Sequence, residues 1–382
     1  MAGEGQITEE ALAELRKRMG VEHPIREPYN KYATEDGIKH MARAIGDMNP
    51  LWLDEEYAKK TRWGGIIALP SYLYCAGWGS WDLRHGMGLP GVHGLHSGDI
   101  WTWYRPIRVG DRIVGTRKLA DLIEKKGEYA GRMFLQIVEA IFKNQNGELL
   151  SRWRFPFMRT ERGEGRGRGK YASIKKAHYT AEELKALEDD YDREEIRGAK
   201  PRYWEDVNVG DELTPVVKGP LTMVEVIAWV MGTGSPHIRA FQYALAYRRR
   251  TPGAFVINPE TGIPEVVERV HWEDYLAQQI GMPAAYDYGS QRGAWATNLL
   301  TNWMGDDGWL KHIDVQFRGM NFLGDTQWIR GKVTDKSVKD GEHLVDVGIK
   351  CVNQRGDDTM PGTATVILPS KSAGAVALPI KE

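Results

Sequence analysis

Cysteine is scarce in this 382-residue sequence: only Cys75 and Cys351 occur, each in apolar company. That excludes a disulfide framework and predicts two buried thiols in a reducing compartment. A chain of this length can bury a core without staples. No run of about 18 apolar residues is present, which argues against a membrane-spanning helix. The opening MAGEGQITEEALAELRKRMG has no apolar centre, so it does not read as a secretory signal and a cytoplasmic location is expected. Charge of one sign is also missing. With 51 Lys and Arg against 52 Asp and Glu, the net charge is −1, and no general attraction to nucleic acid or an anionic membrane is expected. There is no G-x-S-x-G and no Walker loop, so hydrolase and nucleotide-triphosphatase readings lack support. His93 and His96 stand in a Gly-rich stretch without carboxylate or Cys partners spaced for zinc, so no metal is expected.

Tryptophan, in contrast, is plentiful. Its 14 copies suggest wide apolar surfaces or a large ligand groove. The strongest organisational signal is an internal repeat. Gly110-Asp111 in VGDRIVG matches Gly324-Asp325 in LGDTQWIRG, and Gly127-Glu128 matches Gly341-Glu342. Asn144-Gln145 and Gly147 match Asn353-Gln354 and Gly356. In each copy helical patterns come first and long apolar strands follow. Thr34 reads as an N-cap before a helix ending near Gly46, and Thr222 as an N-cap before MVEVIAWVMG. Residues 271–303 repeat the helix–turn–helix pattern of 52–84, and Asn146-Gly147 marks a hairpin. The pattern predicts an α+β chain of two copies packed as a pseudo-dimer. The expected boundaries are a helical extension at 1–23, an N half at 24–159, a linker with a charged helix at 160–200, a C half at 201–370 and a tail at 371–382. Within that linker, TERGEGRGRGK (160–170) holds too many glycines and charges to pack a core.

Asp47, Asn49-Pro50, Asp54, Tyr57-Ala58 and Gly65 together resemble the MaoC-like hydratase family, whose motif is Asp-x-Asn-Pro-x-His followed by Asp, Tyr-Ala and a Gly-rich turn. The resemblance implies two tandem hotdog domains, each a long helix wrapped by an antiparallel sheet. It implies addition of water to 2-enoyl-CoA thioesters, of the (R)-specific type. Coenzyme A then belongs to the substrate, and no separate cofactor is implied. In the N half the family's histidine position holds Trp52, and the glycine that offers its N–H to the thioester oxygen falls on Pro70, which has none. The N half therefore reads as catalytically degenerate. It is expected to be structural or devoted to the acyl group, and its aromatic content suggests a bulky one.

In the C half the resemblance puts His271 at the family's histidine and Gly289, eighteen residues on, at the oxyanion glycine. A helix start there would supply unpaired N–H groups and partial positive charge. The family's aspartate, however, falls on Val266, and Glu268-Arg269-Val270 replace its Asn-Pro. Asp287 is the first candidate for the missing acid, followed by Glu268 and Glu273, and the insertion 237–270 is a possible source of a substitute. Tyr288 is expected to donate to a carbonyl or orient water, Thr297 to face the substrate, and His237 to lie near the missing loop. Arg248 and Arg249, with Arg250, form either a solvated run or contacts to the phosphates of coenzyme A. The ordinary readings stay open beside these: turn chemistry for Asp287, a core hydroxyl for Thr297, a loop histidine for His237. The expected activity is an enoyl-CoA hydratase or 3-hydroxyacyl-CoA dehydratase. The alternatives are a hotdog thioesterase and a non-catalytic acyl-CoA-binding subunit paired with a competent hydratase chain. A homo-oligomer is the expected assembly.

Overall fold

The computed structural model describes residues 7–78, 89, 92–126, 132–161, 171 and 173–381. The predicted Gly127-Glu128 turn and most of the Gly-rich linker lie outside them, as do residues 79–84 of the expected N-half helix.

The chain is α+β, and among the described residues eleven strands form one sheet and two short ones a separate ribbon. The N half supplies β1 (Gly98–Trp103), β2 (Val114–Lys126), β3 (Arg132–Lys143) and β4 (Leu149–Thr160). The C half supplies β5 (Glu212–Lys218), β6 (Trp309–Gln316), β7 (Gln327–Lys339), β8 (Glu342–Asn353) and β9 (Gly362–Ile367). The strand order runs β2-β3-β4-β1-β6-β9-β8-β7-β5. The short segment His23–Pro24 borders β2, and His93–His96 pairs with β4. The two halves join where β1 and β6 run antiparallel, with Ile313 opposite Trp101. Strands of period-two burial, such as β3, turn alternate side chains inward.

Each half lays helices on this sheet. Helix α1 (Glu9–Arg16) precedes the N half. Helix α2 (Glu35–Ile45) starts where the Thr34 hydroxyl accepts from Gly37 N and ends at Gly46 in the left-handed conformation. The charged helix α3 (Ala181–Asp192) buries only Leu187 and sends Asp190 to the indole N–H of Trp328 on β7. Helix α4 (Met223–Thr233) opens with a capping box of Thr222 and Glu225. It packs on α2 so closely that a Cβ on Gly232 would lie 2.5 Å from that of Ala44. Helix α5 (Phe241–Arg250) and the ribbon of Phe255–Ile257 with Pro264–Val266 make up the insertion. After α6 (Asp274–Gln279) comes the central helix α7 (Gly289–Met304), buried on every side from Ser290 onward. A helix apolar on all faces would be ordinary there, but this one also carries Arg292, Asn298 and Asn302, which need partners. Among the described residues no helix is long and apolar enough to cross a membrane. Cys75 and Cys351 are both buried and free.

The repeat is visible bond by bond. Ala68 N donates to Ile107 O in the N half and Asp287 N to Asn321 O in the C half, both at 2.9 Å. Isolated bridges join Ile67 to Arg108 and Tyr286 to Phe322. Asp111 accepts from Arg108 N as Asp325 does from Phe322 N. Gly110 and Gly324, at φ 95° and 99°, make the same turn, which disfavours a side chain.

Candidate active site

Two loops hold equivalent places in the two halves. In the N half Trp52 is followed by the N-cap Asp54 (φ −121°, ψ 110°) and, eighteen residues on, by Pro70 at the first position of a helical segment. In the C half His271 is followed by the N-cap Glu273 (φ −120°, ψ 113°) and, eighteen residues on, by Gly289 at the first position of α7.

In the C half the chain from Val267 to His271 makes a 3-10 turn. Side chains three apart eclipse on such a turn, so Glu268 and His271 project the same way. Glu268 is buried, and both its carboxylate oxygens are held: Tyr288 Oη donates to Oε1 at 2.8 Å, and Ser235 Oγ to Oε2 at 2.5 Å. His271 stacks on the Tyr288 ring, with centroids 3.8 Å apart, and its Nδ1 lies 2.9 Å from the carbonyl of Tyr286. A carbonyl only accepts, so Nδ1 carries the proton and Nε2 keeps the lone pair of the neutral ring. Burial pushes the His271 imidazole below its ordinary value, while the Tyr286 carbonyl and the Glu268 carboxylate pull the other way. Burial and the same carboxylate raise the Tyr288 phenol well above its usual range, so it remains a donor. His237, whose Nδ1 lies 2.6 Å from Tyr247 Oη, is likewise lowered by burial and feels Glu268.

The N–H groups of Gly289 and Ser290 open α7 and have no carbonyl partner within the helix. Gly289 is required by packing, since a Cβ there would lie 2.6 Å from the ring of Phe317.

Asp287, the first choice for the acid, faces elsewhere. Its carboxylate sits 2.8 Å from Arg292 Nε and 3.3 Å from Asn321 Nδ2, with both charged groups buried. Burial raises it to about 7, against the pull of Arg292. The pair neutralises the one arginine that α7 carries through the core. Glu273 is bound to Arg269 instead. Thr297 is a core residue, and its hydroxyl donates to Ala294 O within α7. Arg248 and Arg249 lie in the last turn of α5, after Tyr247, with Arg249 exposed. His93 and His96 belong to a strand, where a loop was expected. The described residues hold no group of three or more metal-ligating side chains. Ser235 and Tyr247 were missed by sequence reasoning. The only signal for Ser235 was its place before Pro236 at the end of a helix.

The N-half loop is apolar. Asn49 caps its turn, Trp52 is buried, and Trp52 and Pro70 line an apolar cavity of about 40 Å³ with Trp63, Trp103, Met304 and Trp309. Asp47 accepts from Asn49 N and is raised to about 6 by burial, opposed by that bond and by Lys218. Lys218 in turn donates to Asn298 Oδ1 on α7 and to Gly46 O just before Asp47, which ties the two halves together.

Residues 19–152 match the family model described as the FAS1-like dehydratase domain region. A UPF0336 protein of Streptomyces avermitilis is 29% identical over 138 residues, covering 33% of this chain and 89% of that one. A UPF0336 protein of a Parafrankia strain is 32% identical over 117 residues, 30% of this chain and 74% of that one. Among solved structures, a MaoC-like dehydratase superposes with a TM-score of 0.65 at 16% identity, over 92% of this chain and 99% of its own. A Mycobacterium tuberculosis protein described as a double hotdog fold gives 0.52 at 12% identity, over 92% and 96%. The fold is the double hotdog of the MaoC-like dehydratases. Within this double hotdog, the model match lies in the half where Trp52 and Pro70 line the apolar cavity.

Proposed function

We propose that the chain is a hydro-lyase that adds water across, or removes it from, the C2–C3 bond of an acyl-CoA thioester, and that the C half carries the chemistry. The observation that supports this reading best is the placement of Glu268 and His271 on one turn beside Tyr288, directly before the open helix start at Gly289. The thioester oxygen takes the N–H groups of Gly289 and Ser290, which stabilise the enolate that forms on addition. His271 Nε2 takes a proton from water as the hydroxyl bonds to C3, and the same proton is returned to C2. Glu268 stabilises the imidazolium between those two events, and Tyr288 and Ser235 fix Glu268. Asp287 serves the fold through Arg292. The basic turn Arg248–Arg250 suits the phosphates of coenzyme A.

The experiment is to follow the enoyl-thioester absorbance of short, long and aromatic 2-enoyl-CoAs with purified protein alone. Loss of the band without release of free thiol is the expected result. Thiol release from a saturated acyl-CoA would replace this reading with thioester hydrolysis. Binding without turnover would replace it with a non-catalytic acyl-CoA-binding role.

A further inference from the structure

Helices α2 and α4 end alike. Each follows a threonine N-cap, Thr34 or Thr222, and runs for 11 residues. Each stops at a glycine with positive φ, Gly46 at 66° and Gly234 at 69°. Ala44 and Gly232, two residues before those glycines, meet where the helices cross. Equivalent residues that meet in this way mark a pseudo-twofold axis between the halves.

The residue after the glycine is Asp47 in the N half and Ser235 in the C half, both buried. Asp47 Oδ1 accepts from Asn49 N at 3.0 Å, and Ser235 Oγ accepts from His237 N at 3.0 Å. Such a bond to the N–H two residues on fixes a local turn. Counted back from His271, the place of Asp47 falls on Val266. By helix end and turn, it falls on Ser235. The insertion therefore enters after His237, leaving Ser235 before the cut and His271 after it.

The side chains at these places differ. In the N half, burial raises the Asp47 carboxylate to about 6, and the Trp52 indole is among the groups that pull it down. A carboxylate at the first place thus faces the ring at the second. In the C half the first place holds a hydroxyl, which carries no charge. Its Oγ lies 2.5 Å from Glu268 Oε2, and Glu268 returns from the far end of the insertion on the turn of His271. Burial lowers the His271 imidazole, and the Glu268 charge opposes that.

We infer that Ser235 keeps the place that Asp47 holds in the N half, and that Glu268 reaches this place from beyond the insertion to supply the carboxylate that Ser235 lacks. The inference deepens the site assignment proposed above and rests on it for its chemical meaning. Ser235 is then a positioning residue, and a carboxylate moved back to position 235 takes over from Glu268.

The test follows the His271 imidazole by NMR titration of the full chain, its signal identified by its absence from His271→Ala. The other titratable groups on this ring, His237, Tyr286 and Tyr288, are left unchanged in every variant. In Glu268→Ala the His271 pKa is expected to fall by about 1, the scale of a nearby opposite charge. Adding Ser235→Asp to that variant is expected to bring it back. Ser235→Asp alone sets two carboxylates against each other and is expected to lower the unfolding midpoint. One substitution is thus harmful by itself and restorative beside Glu268→Ala. An unchanged value in Glu268→Ala, or a double variant that titrates like Glu268→Ala, would overturn the proposal. Where the double variant does not fold, Ser235→Ala and Ser235→Thr decide. Loss of the hydroxyl should lower the His271 value part of the way, and threonine should hold it. A merely structural role for Ser235 would cost stability in Ser235→Ala and leave the titration unmoved, which would also overturn the proposal. Hydration of 2-enoyl-CoAs is scored separately. A restored titration with no turnover in any form of the chain would remove the hydro-lyase reading and leave this inference standing.

Discussion

The loops 47–70 and 268–289 share their register, their N-cap geometry and an isolated bridge to the segment before the next long strand, yet one lines an apolar cavity and the other holds a polar cluster. In the N half an indole occupies the place of an imidazole, and a proline occupies the place where an N–H would be offered. In the C half both groups are present, while Val266 stands, by spacing, at the position of the motif's aspartate. The buried carboxylate on the turn of His271 is Glu268, near the end of the insertion. The comparison teaches that two halves can share backbone turns while the side chains set on them differ. Asp47 lies with Lys218 and Asn298 at the seam between the halves.

The two loops can be separated by substitution. Trp52→Ala removes a buried indole and is expected to lower stability by about 3–5 kcal/mol, read by denaturant unfolding, while turnover of the folded fraction persists. His271→Ala should do the reverse: kcat falls at least ~100-fold in the enoyl-thioester assay, with little change in the unfolding midpoint. A parallel response of both variants in both assays would erase the distinction between the halves.

The pH profile sharpens it further. Burial lowers His271, so its neutral form, with Nε2 ready to accept, persists to pH values below the ordinary imidazole value of 6.5. The acid limb of kcat/KM for hydration should therefore lie below that value, and a limb above it would contradict the assignment of His271 as base. The smallest effect concerns Asp47. Its folded value of about 6 lies above the ordinary 3.8, so the folded state binds the proton more tightly than the unfolded one. Its contribution is therefore unfavourable at neutral pH, and is relieved as pH falls from about 7 toward 4. Asp47→Asn should flatten that part of the stability profile, measured by unfolding at a series of pH values.

Much of this was legible in the sequence. The repeat, the caps at Thr34 and Thr222 and the hairpin at Asn146-Gly147 depend on local turn chemistry, which short stretches of sequence reveal, and the pairing of His271 with Gly289 came from the family resemblance. The identity of the acid was less visible, because it depends on where side chains point. Asp287 stands two residues before Gly289, and proximity along the chain favoured it. What the chain does not display is that Arg292 enters a buried helix and requires a carboxylate there. Glu268 gained its position from a 3-10 turn inside an insertion that carries no repeat counterpart, and Ser235 from a loop some thirty residues away. The His-x-x-Asp spacing of His96 and Asp99 was present in GLHSGD, but the chain does not display that Tyr74 and Trp153 close on the same carboxylate.

The central claim is that Glu268, and not Asp287, backs His271. The most direct measurement is kcat of Glu268→Gln beside Asp287→Asn on the same 2-enoyl-CoA, at a temperature where both variants are folded. The account predicts that Glu268→Gln loses kcat by at least ~100-fold, the scale of general acid–base work, and that Asp287→Asn loses stability while keeping its kcat. The opposite pattern, with activity lost in Asp287→Asn and kept in Glu268→Gln, would contradict it.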